Sequence, residues 1–592
     1  MKLRNDEGGA ATIFLLAMMT TLFVVYIAFI DFLRYRLAVL QGESYIHSVG
    51  RSELSRFEQD LLQYGLFGAD YSTGMIAEQL ESRQQLLSGN TGQIPFSLYD
   101  TAVHSNQISG DPVYHLGDHF VFRHQVLERM KYVAPIEFGV AITQNFAKGK
   151  EKMAQAQQVV ELSKQLKGLL EQRDEQLDKV WSTARRLARS TGRTSALQFL
   201  VDDMSEELDG AAETNERIRE ELRRQLPGWS GNSEVYADIQ VYPHSYFSSY
   251  KTGAAKIASL HAAVLELEDS DDPEKLKEAK EEVKQFASEW LADQEEIERK
   301  RQKYGRNIQT QEQQQKQNAE KEIARQKDHW KNVCHAEDGD DYQELETSGG
   351  LFEKYKTYNE HLASEGMFGQ ASSDEAEKLM DASVHLLHQL YEMMETARDE
   401  IFINEYAITH FTYRTNQLQQ SDDQPRFGNL ESHRLQNQEA EYILYGFASC
   451  QLNLGAAQTE MFLLRTAMRT LEAVMEPKSL AASGTPPMLL FSALMEGAKQ
   501  ANEDVNELMS GKAVEVPFIP GLAMDYKDHL RLFYVLHSRN ASLLSRMQAL
   551  IELNTGIDLM SQYTALHLRL QIRPPFWFLR FRSGEVESVI SY

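Results

Sequence analysis

The hydrophobic pattern is strongest at the start of the chain. Residues 8–30 contain no Asp, Glu, Lys, Arg or His. A helix of that length would be about 35 Å long, which is enough to cross a hydrocarbon core of about 30 Å. Beyond it, Leu33, Leu37 and Leu40 continue at helical spacing. The pattern predicts one transmembrane helix that continues into a large soluble part.

A cleaved secretory signal is the alternative interpretation of this run. Such signals have an apolar core of about 7–15 residues and a small-residue cleavage site. Here the run is longer, and Asp31-Phe32-Leu33-Arg34-Tyr35-Arg36 follows it without an Ala-x-Ala exit. An uncleaved anchor therefore fits better than an atypical signal. Basic residues lie on both sides of the span, so the positive-inside rule barely discriminates between the two orientations.

The middle of the chain predicts long helices. Residues 136–226 and 274–424 contain no proline. In the first stretch, apolar residues repeat every seven positions and predict a coiled-coil hairpin or an extended bundle, although Arg173 interrupts the seam. The two registers are Val159, Leu166, Val180, Leu187 and Leu170, Leu177, Ala184. Residues 309–326 have almost no apolar face, which is typical of either a solvated helix or a disordered segment.

The last third of the chain alternates between amphipathic helices and short strand patterns. Helices are expected at 374–416, 435–453, 456–475, 485–510 and 524–554, and strands at 94–99, 238–247, 566–572, 576–581 and 586–592. These distant strands are expected to meet in one small sheet near the membrane. For the aromatic residues at 576–581, packing against the helices is favoured over an exposed edge that pairs with a neighbour.

The predicted fold class is mainly α, with long helices in a coiled-coil or helical bundle, a small β-sheet and an N-terminal transmembrane helix. The expected divisions are a leader at 1–9, a transmembrane and stalk helix at 10–50, a membrane-proximal α+β region at 51–150, a coiled-coil region at 151–335, a helical bundle at 336–560 and a β segment at 561–592. The residues predicted to face the membrane or neighbouring helices are Ala11, Phe14, Phe23, Tyr26 and Ile30.

Composition narrows the possible partners. The formal net charge is −26, which argues against nucleic acid as a partner because phosphate binding needs a basic surface. The two cysteines, Cys334 and Cys450, do not form a disulfide framework. One bridge between them is possible, but two separate thiols are the expectation, since bridging requires Cα atoms within about 7 Å.

The N-terminus resembles that of TadE/TadG-type pseudopilins of the Flp, or tight-adherence, pilus systems. The resemblance is carried by Glu7-Gly8-Gly9-Ala10-Ala11-Thr12-Ile13-Phe14-Leu15 and by the segment 31–35 after the span. It implies that a prepilin peptidase removes the leader at Gly8 or Gly9, that the N-terminus is inside and that the ectodomain is outside. A cut after Gly9 places Phe14 at the position where substrates of this type carry Glu.

The rest of the chain resembles a family of large, mostly uncharacterised Gram-positive ectodomain proteins, for which no catalytic residues are established. Six segments carry this resemblance: Tyr64-Gly65-Leu66-Phe67-Gly68, Gln125-Val126-Leu127-Glu128-Arg129-Met130-Lys131-Tyr132, Asn404-Glu405-Tyr406-Ala407, Asn437-Gln438-Glu439-Ala440-Glu441-Tyr442-Ile443-Leu444-Tyr445-Gly446, Asp525-Tyr526-Lys527-Asp528-His529-Leu530-Arg531-Leu532 and Arg546-Met547-Gln548-Ala549-Leu550-Ile551. These motifs are interpreted as structural.

One set of residues has metal-ligand spacing. Asp381, His385, His388 and Glu392 share one helical face, and such side chains can bind Zn²⁺ or another divalent ion. The polar flank of an amphipathic helix is the favoured reading, because paired histidines at this spacing arise often by chance. No metal, cofactor or catalytic residue is therefore predicted.

Other motif matches are incomplete. Asp70-Tyr71-Ser72-Thr73-Gly74 and Asp381-Ala382-Ser383-Val384-His385 each lack the final Ser of Asp-x-Ser-x-Ser, the metal-dependent adhesion motif found in some TadG-like proteins. Ser248-Ser249-Tyr250-Lys251 fits Ser-x-x-Lys but lacks the companion motifs of penicillin-recognising enzymes. These matches do not predict an adhesion domain or an enzyme.

The leading hypothesis is a non-enzymatic, single-pass protein of a Gram-positive cell envelope with an extracellular ectodomain. It would act as a pseudopilin-like component of a Flp-type pilus or secretion assembly. Its partners would be the membrane and other pilin-like proteins, with homo- or hetero-oligomers formed through helices. The alternatives are a membrane-anchored coiled-coil adaptor or sensor that dimerises through the seam at 155–190, and an extracellular metal-dependent hydrolase that uses His385 and His388.

Overall fold

The computed structural model gives the fold for most of the chain. It describes residues 7–71, 108–133, 161, 164–190, 194–225, 241–268, 272–329, 339–360, 398–416, 433–475, 486–517, 519, 521–537, 542–572 and 584–592. The fold is mainly α-helical with a small antiparallel sheet, as the sequence predicts.

The N-terminal helix α1 runs without a break over Glu7–Leu54. It is the helix, within the described part of the chain, that is long and apolar enough to cross a membrane. None of the side chains in its most apolar stretch is buried. From Asp31 onward, the residues on one side of the same helix become buried against the protein. The predicted continuation of the membrane helix into the soluble part is confirmed.

The sheet is built around one central strand, β5 (Gln562–Ile572). Strand β2 (Ile108–His115) pairs with one edge of β5, and β6 (Gly584–Ser591) pairs with the other edge, both antiparallel. The two-residue strand β1 (Ala69–Asp70) pairs with the start of β5. Alternate residues of β5 point to α1, because side chains along a strand alternate between the two faces; these are Leu566, Leu568, Leu570 and Ile572.

Two glycines bring α1 into close contact with this sheet. A Cβ atom at Gly42 would lie 2.5 Å from Cδ1 of Ile572, and a Cβ atom at Gly50 would overlap Cδ1 of Ile590. Nearer the membrane, Tyr35 lies against Gly584. The helix therefore crosses β5 and β6, with the end of β5 and the start of β6 closest to the apolar span.

A second helical layer encloses the largest core. A 3₁₀ turn over Gln59–Tyr64 precedes it, and a short hairpin, β3 (Val514–Glu515) with β4 (Ala523–Met524), lies beside it. Its helices are α2 (His119–Val133), α7 (Gly339–Glu346), α8 (Leu351–Tyr358), α9 (Arg398–His410), α10 (Glu439–Tyr445), α11 (Cys450–Met475), α12 (Pro486–Met509), α13 (Tyr526–Leu536) and α14 (Ser542–Thr555).

The remaining helices form a separate bundle with its own core. They are α3 (164–188), α4 (Thr194–Gln225), α5 (His244–Glu268) and α6 (Pro273–His329). The part of the predicted seam that the structure describes is buried, including Leu177, Val180, Ala184 and Leu187. Segment 309–326 lies within α6 and is helical, which decides between the two readings of that stretch.

The charge inside the seam has specific partners. Nη1 of Arg173 lies 3.4 Å from Oδ1 of Asn215, and its guanidinium lies 4.5 Å from the ring centre of Tyr242. A buried charge needs hydrogen bonds or π contacts to offset its lost hydration. The neighbouring carboxylate of Asp174 also accepts from Nε and Nη2 of Arg173, at 3.0 and 2.9 Å, so the buried charge has an ion pair as well as these two contacts.

Several strand and helix predictions need correction. The strand predicted at 238–247 is wrong over the residues that the structure describes, because α5 begins at His244 and residues 241–243 have no regular structure. Aromatic residues at 246, 247 and 250 fit a helical face as well as an alternating one, and burial against Trp290 selects the helix. The strands predicted at 566–572 and 586–592 are confirmed, whereas 94–99 and 576–581 lie outside the described residues.

Helix boundaries in the last third also differ from the prediction. The break predicted between 453 and 456 falls instead at Gly446, whose φ of 65° ends α10 in the left-handed conformation that glycine adopts readily. The helix predicted at 524–554 is two helices, α13 and α14, and the first begins with a capping box between Asp525 and Asp528. Of the helix predicted at 374–416, the structure describes residues 398–416. The helix runs over Arg398–His410, so the predicted end at 416 is wrong.

The glycine contact between α1 and the sheet is testable. Gly50→Leu would force a side chain into Ile590, so we expect the unfolding free energy to fall by about 1–3 kcal/mol through overpacking. Chemical unfolding of the full-length protein in detergent, followed by circular dichroism, measures the change. Gly168→Leu is the control, because nothing lies within 4 Å of a Cβ atom there. Equal stability of both variants would contradict the contact.

Candidate functional site: the anchor helix and the buried polar core

The residues predicted for processing lie at the beginning of α1. Helix α1 starts at Glu7, so its first turns include Gly8 and Gly9. A Cβ atom at Gly9 would meet nothing within 4 Å. Cleavage at these glycines stays a prediction.

The predicted membrane-facing residues are on the surface of α1. Phe14 is 73% exposed, and Ala11, Phe23 and Tyr26 are also exposed, whereas Ile30 is partly covered. Threonine hydroxyls in this stretch donate to carbonyl oxygens of the helix itself, as Thr20 Oγ1 does to Ala17 O at 2.9 Å. Such internal hydrogen bonds are required of polar groups in hydrocarbon.

The first charged residues after the span are held inside the protein. Asp31 and Arg34 are buried, although both are charged and follow a span of the same helix that is exposed up to Tyr26. On the opposite side of the helix, apolar residues remain exposed past the span. Leu40 is 59% exposed and lies about 15 Å beyond Ile30 along the helix axis.

We call this exposed row the α1 stripe: Phe29, Phe32, Leu33 and Leu40. It lies away from the sheet, since the buried residues of the same segment face β5 and β6. Part of the row has heptad-like spacing, with Phe29, Leu33 and Leu40 separated by four and seven positions, which is typical of a helix seam that packs on another helix. The stripe extends an apolar surface out of the bilayer into the region of the ectodomain.

The candidate metal residues cannot be placed. Asp381, His385, His388 and Glu392 lie outside the described residues. Within the part of the chain that is described, no three His, Cys, Asp or Glu side chains form a group that could hold a metal ion.

The incomplete motifs have ordinary structural roles where they are described. In the Ser-x-x-Lys match, Lys251 forms an ion pair with Asp209, and Ser248 Oγ donates to the carbonyl of Ser245 within α5. Asp70 belongs to β1, and residues 72–74 of its motif lie outside the described residues. These side chains do not form a catalytic arrangement.

The six segments that carry the ectodomain resemblance come together in the largest core. Segment 64–68 contacts segment 125–132, where Gln125 accepts from the backbone N–H of Phe67 and donates to its carbonyl, both at 2.9 Å. The hydroxyl of Tyr406 donates to the carbonyl of Tyr64 at 2.8 Å. The guanidinium of Arg531 binds both carboxylate oxygens of Glu405. Segments far apart in sequence are thus joined by buried hydrogen bonds.

Glu439 is the centre of this polar core, and its side chain is completely buried. Its carboxylate accepts from the backbone N–H and the hydroxyl of Thr412, at 2.8 and 3.0 Å. It also accepts from Nδ2 of Asn554 at 2.6 Å and contacts Nδ1 of His433. A buried carboxylate is stable when its lone pairs are satisfied in this way.

Glu441, two residues later, is less completely satisfied. One oxygen accepts from the hydroxyl of Tyr526 at 2.6 Å and from the backbone N–H of Arg414 at 2.9 Å. The other oxygen has no hydrogen-bond partner among the residues that the structure describes. Burial raises the pKa of Glu441 to about 7, although these hydrogen bonds act in the opposite direction.

Arg546 fixes the end of α10. Its Nη1 donates to the carbonyls of Ile443 and Leu444 at 2.8 and 3.1 Å, which are among the unsatisfied acceptors at a helix C-terminus. Its guanidinium packs against Gly446, where a Cβ atom would overlap it. The glycine at this motif position is therefore required for both its φ angle and its contact with Arg546.

A further buried ion pair was not anticipated from the sequence. Arg465 on α11 is wholly buried; its Nε lies 2.8 Å from Oδ2 of Asp504 on α12, and its Nη2 donates to the carbonyl of Glu515. Arg469 also binds Asp504. The available signal was an arginine within an otherwise apolar helical face, which in a buried helix implies a charged partner.

The polar groups of this core hold its segments together. Its carboxylates and hydroxyls pair with backbone groups and with each other, and the central ones are closed off from solvent. The interpretation of the motifs as structural stays a prediction.

Cys450, at the start of α11, is disulfide-bonded. The chain has one other cysteine, Cys334, which lies outside the described residues. The expectation of two separate thiols is therefore wrong. A bridge requires a short distance between the two Cα atoms, and the sequence alone does not give that distance.

In comparisons with known proteins, no family model, no curated protein and no solved structure matches this chain. The pseudopilin resemblance therefore remains a prediction that rests on the quoted residues.

Titration of Glu441 provides a test of the core. Its pKa is raised from 4.5 to about 7 in the folded state, so the fold opposes deprotonation. The contribution to stability is then highest below about pH 4.5 and is lost as the pH rises towards 7, by on the order of 3 kcal/mol. Glu441→Gln should flatten this dependence and be the more stable form at pH 8. Denaturant unfolding of both proteins between pH 4.5 and 8 measures this pH dependence of the unfolding free energy.

The matched control for this titration is Glu585→Gln, which changes an exposed glutamate of β6. Its unfolding profile should follow that of the unmodified protein. If Glu441→Gln followed the same profile as well, burial would not raise the pKa of Glu441 as described.

Proposed function

We propose that the protein is a non-enzymatic, membrane-anchored subunit of an envelope assembly of the Flp or tight-adherence type. Helix α1 anchors it and packs against helices of other subunits, and the ectodomain acts as a scaffold. The observation that carries the proposal is the continuous helix α1, with one half apolar and exposed and the other half docked on an antiparallel sheet. Helix and sheet on an N-terminal stalk is the general pilin arrangement, so this support is an analogy of architecture.

The α1 stripe supports the packing step. Lipid around the span would explain why leucine and phenylalanine side chains are exposed there. Leu40 lies about 15 Å past the end of the apolar span, so lipid does not explain its exposure. Exposed apolar patches beyond the membrane are typical of protein contacts. A neighbouring helix that packs against α1 in the bilayer would cover the stripe by continuing alongside it.

The disulfide at Cys450 supports an ectodomain outside the cytoplasm. Disulfides persist in oxidising compartments and are rare in the cytosol. An external ectodomain also suits the net charge of −26, which disfavours adhesion to anionic lipid and nucleic acid.

The seam at 155–190 does not support the alternative of a coiled-coil adaptor that dimerises through it. The residues that would form a dimer interface, including Leu177 and Val180, are packed inside the bundle of α3 to α6. A dimer through this seam would require the bundle to open.

The N-terminal sequence of the protein recovered from host membranes tests the class of protein. Prepilin-peptidase processing predicts a start at Gly9, Ala10 or nearby. An intact Met1 would indicate an ordinary anchor, and a start beyond residue 31 would indicate a secreted protein. Either of the last two results would overturn the pseudopilin assignment.

Site-specific photo-crosslinking tests the packing of α1. A benzophenone amino acid in place of Leu40 should form an adduct with a helix of another subunit in intact membranes. Leu452, which is 57% exposed at a different place in the chain, is the matched control for a 59% exposed leucine. Equal adduct yields at both positions, or adducts with lipid alone at Leu40, would contradict helix packing at the stripe.

A further inference from the structure

The loop that joins β2 to α2 is fixed by hydrogen bonds to buried side chains and to the backbone of β5. Two of its carbonyls, those of Leu116 and Gly117, accept from Nε2 of the buried Gln548 at 2.8 and 3.0 Å. Nδ2 of the buried Asn359 also donates to Gly117 O at 3.0 Å. In addition, Leu116 N donates to Gln562 O at 2.8 Å. A loop fixed in this way presents its side chains in one arrangement before any partner arrives.

Aromatic side chains beside this loop are exposed to solvent. Phe120, the second residue of α2, is 77% exposed, and Tyr358 of α8 is 42% exposed. Within β2, one residue before the strand ends, Tyr114 has a φ of 61°, a left-handed conformation that is an outlier for a bulky residue. Strain of this kind persists where the surrounding structure imposes it, and it is concentrated at functional sites. Burial does not account for either exposed ring.

Three residues define what we call the aromatic patch: His115, Phe120 and Tyr358. Nε2 of His115 lies 3.0 Å from the hydroxyl of Tyr358, and their ring centres are 5.1 Å apart. Phe120 is linked to the same region through its backbone N–H, which donates to Oδ1 of Asp118 at 2.7 Å. Burial lowers the pKa of His115 from its usual value.

The surroundings of the patch are acidic. The carboxylates of Asp118 and Asp558 both act on the ring of His115. Asp558, together with Glu552, binds the ammonium group of Lys354. These four described side chains carry three carboxylates and one cation, on a chain whose net charge is −26. A second copy would bring the same sign of charge, whereas a basic partner would complement it.

We propose that the aromatic patch is a docking site for a basic segment of a partner protein. An Arg or Lys side chain stacks on the ring of Phe120 or Tyr358, and its charge pairs with Asp118. Cations over aromatic faces are attracted by the ring quadrupole, more strongly where a carboxylate is close by. Rigid aromatic residues that are fixed before binding are also the usual energetic centre of a protein interface. This site is distinct from the α1 stripe and does not depend on the pilus assignment.

The test places a benzophenone amino acid at position 120 of the full-length protein in host membranes. We expect a protein adduct whose crosslinked peptide carries Arg or Lys next to the crosslinked residue, and whose yield falls when salt is raised to 0.5 M, because salt screens exposed charges. The same probe at Phe199, which is 67% exposed on α4, should not form that adduct.

Two further variants separate the contribution of the Asp118 charge from that of the Tyr358 ring. Asp118→Asn keeps the acceptor for the N–H of Phe120 but removes the charge, and Tyr358→Ala removes one ring. Each should lower the adduct yield by about fivefold to tenfold, in line with one cation–π or charged contact, while Glu585→Gln should not lower it. Unchanged thermal unfolding verifies that each variant folds. An adduct with a second copy, with lipid or with a peptide lacking Arg and Lys, a salt-independent yield, or no adduct at all would overturn the proposal.

Discussion

The close contact of α1 with β5 and β6 is the constraint on which the rest of the structure depends. Gly42 and Gly50 allow the helix backbone to approach Ile572 and Ile590. This contact joins the first helix of the chain to its last strand, so the fold closes only when both ends are present. The helix that lies on the sheet is also the one that is long and apolar enough to cross a membrane.

The polar core extends the same connection into the helical layer. Tyr64 follows α1 and the 3₁₀ turn, and its carbonyl accepts from Tyr406 while its hydroxyl accepts from Asn554. Glu439 binds Asn554 as well. Removing one partner from such a network leaves a buried polar group unsatisfied, which costs about 1–3 kcal/mol. Buried acids whose partners are satisfied in this way hold the surrounding segments in one defined arrangement.

The sequence predicts the elements whose signal is local. Residues 8–30 lack charge, and 566–572 alternate, so the span and β5 are both recognisable. Two of the three partners of β5 are not, because β1 has two residues and β2 contains Gly110-Asp111-Pro112, which is typical of a turn. The polar core is equally hidden, since Glu439 and Asn554 are 115 residues apart and pair only in the folded chain. Local pattern carries no information about such contacts.

Charge and apolar surface together limit how this protein assembles. Helices that pack through the α1 stripe bring their ectodomains close, and two chains with a net charge of −26 repel each other. At physiological ionic strength the Debye length is about 8 Å, so the repulsion is weak between well-separated ectodomains and strong between touching ones. In the proposed assembly, a homotypic contact is therefore favoured along α1, where Phe29, Leu33 and Leu40 are uncharged, and disfavoured between ectodomain surfaces. The docking of a basic segment proposed near Phe120 follows the same rule of charge complementarity.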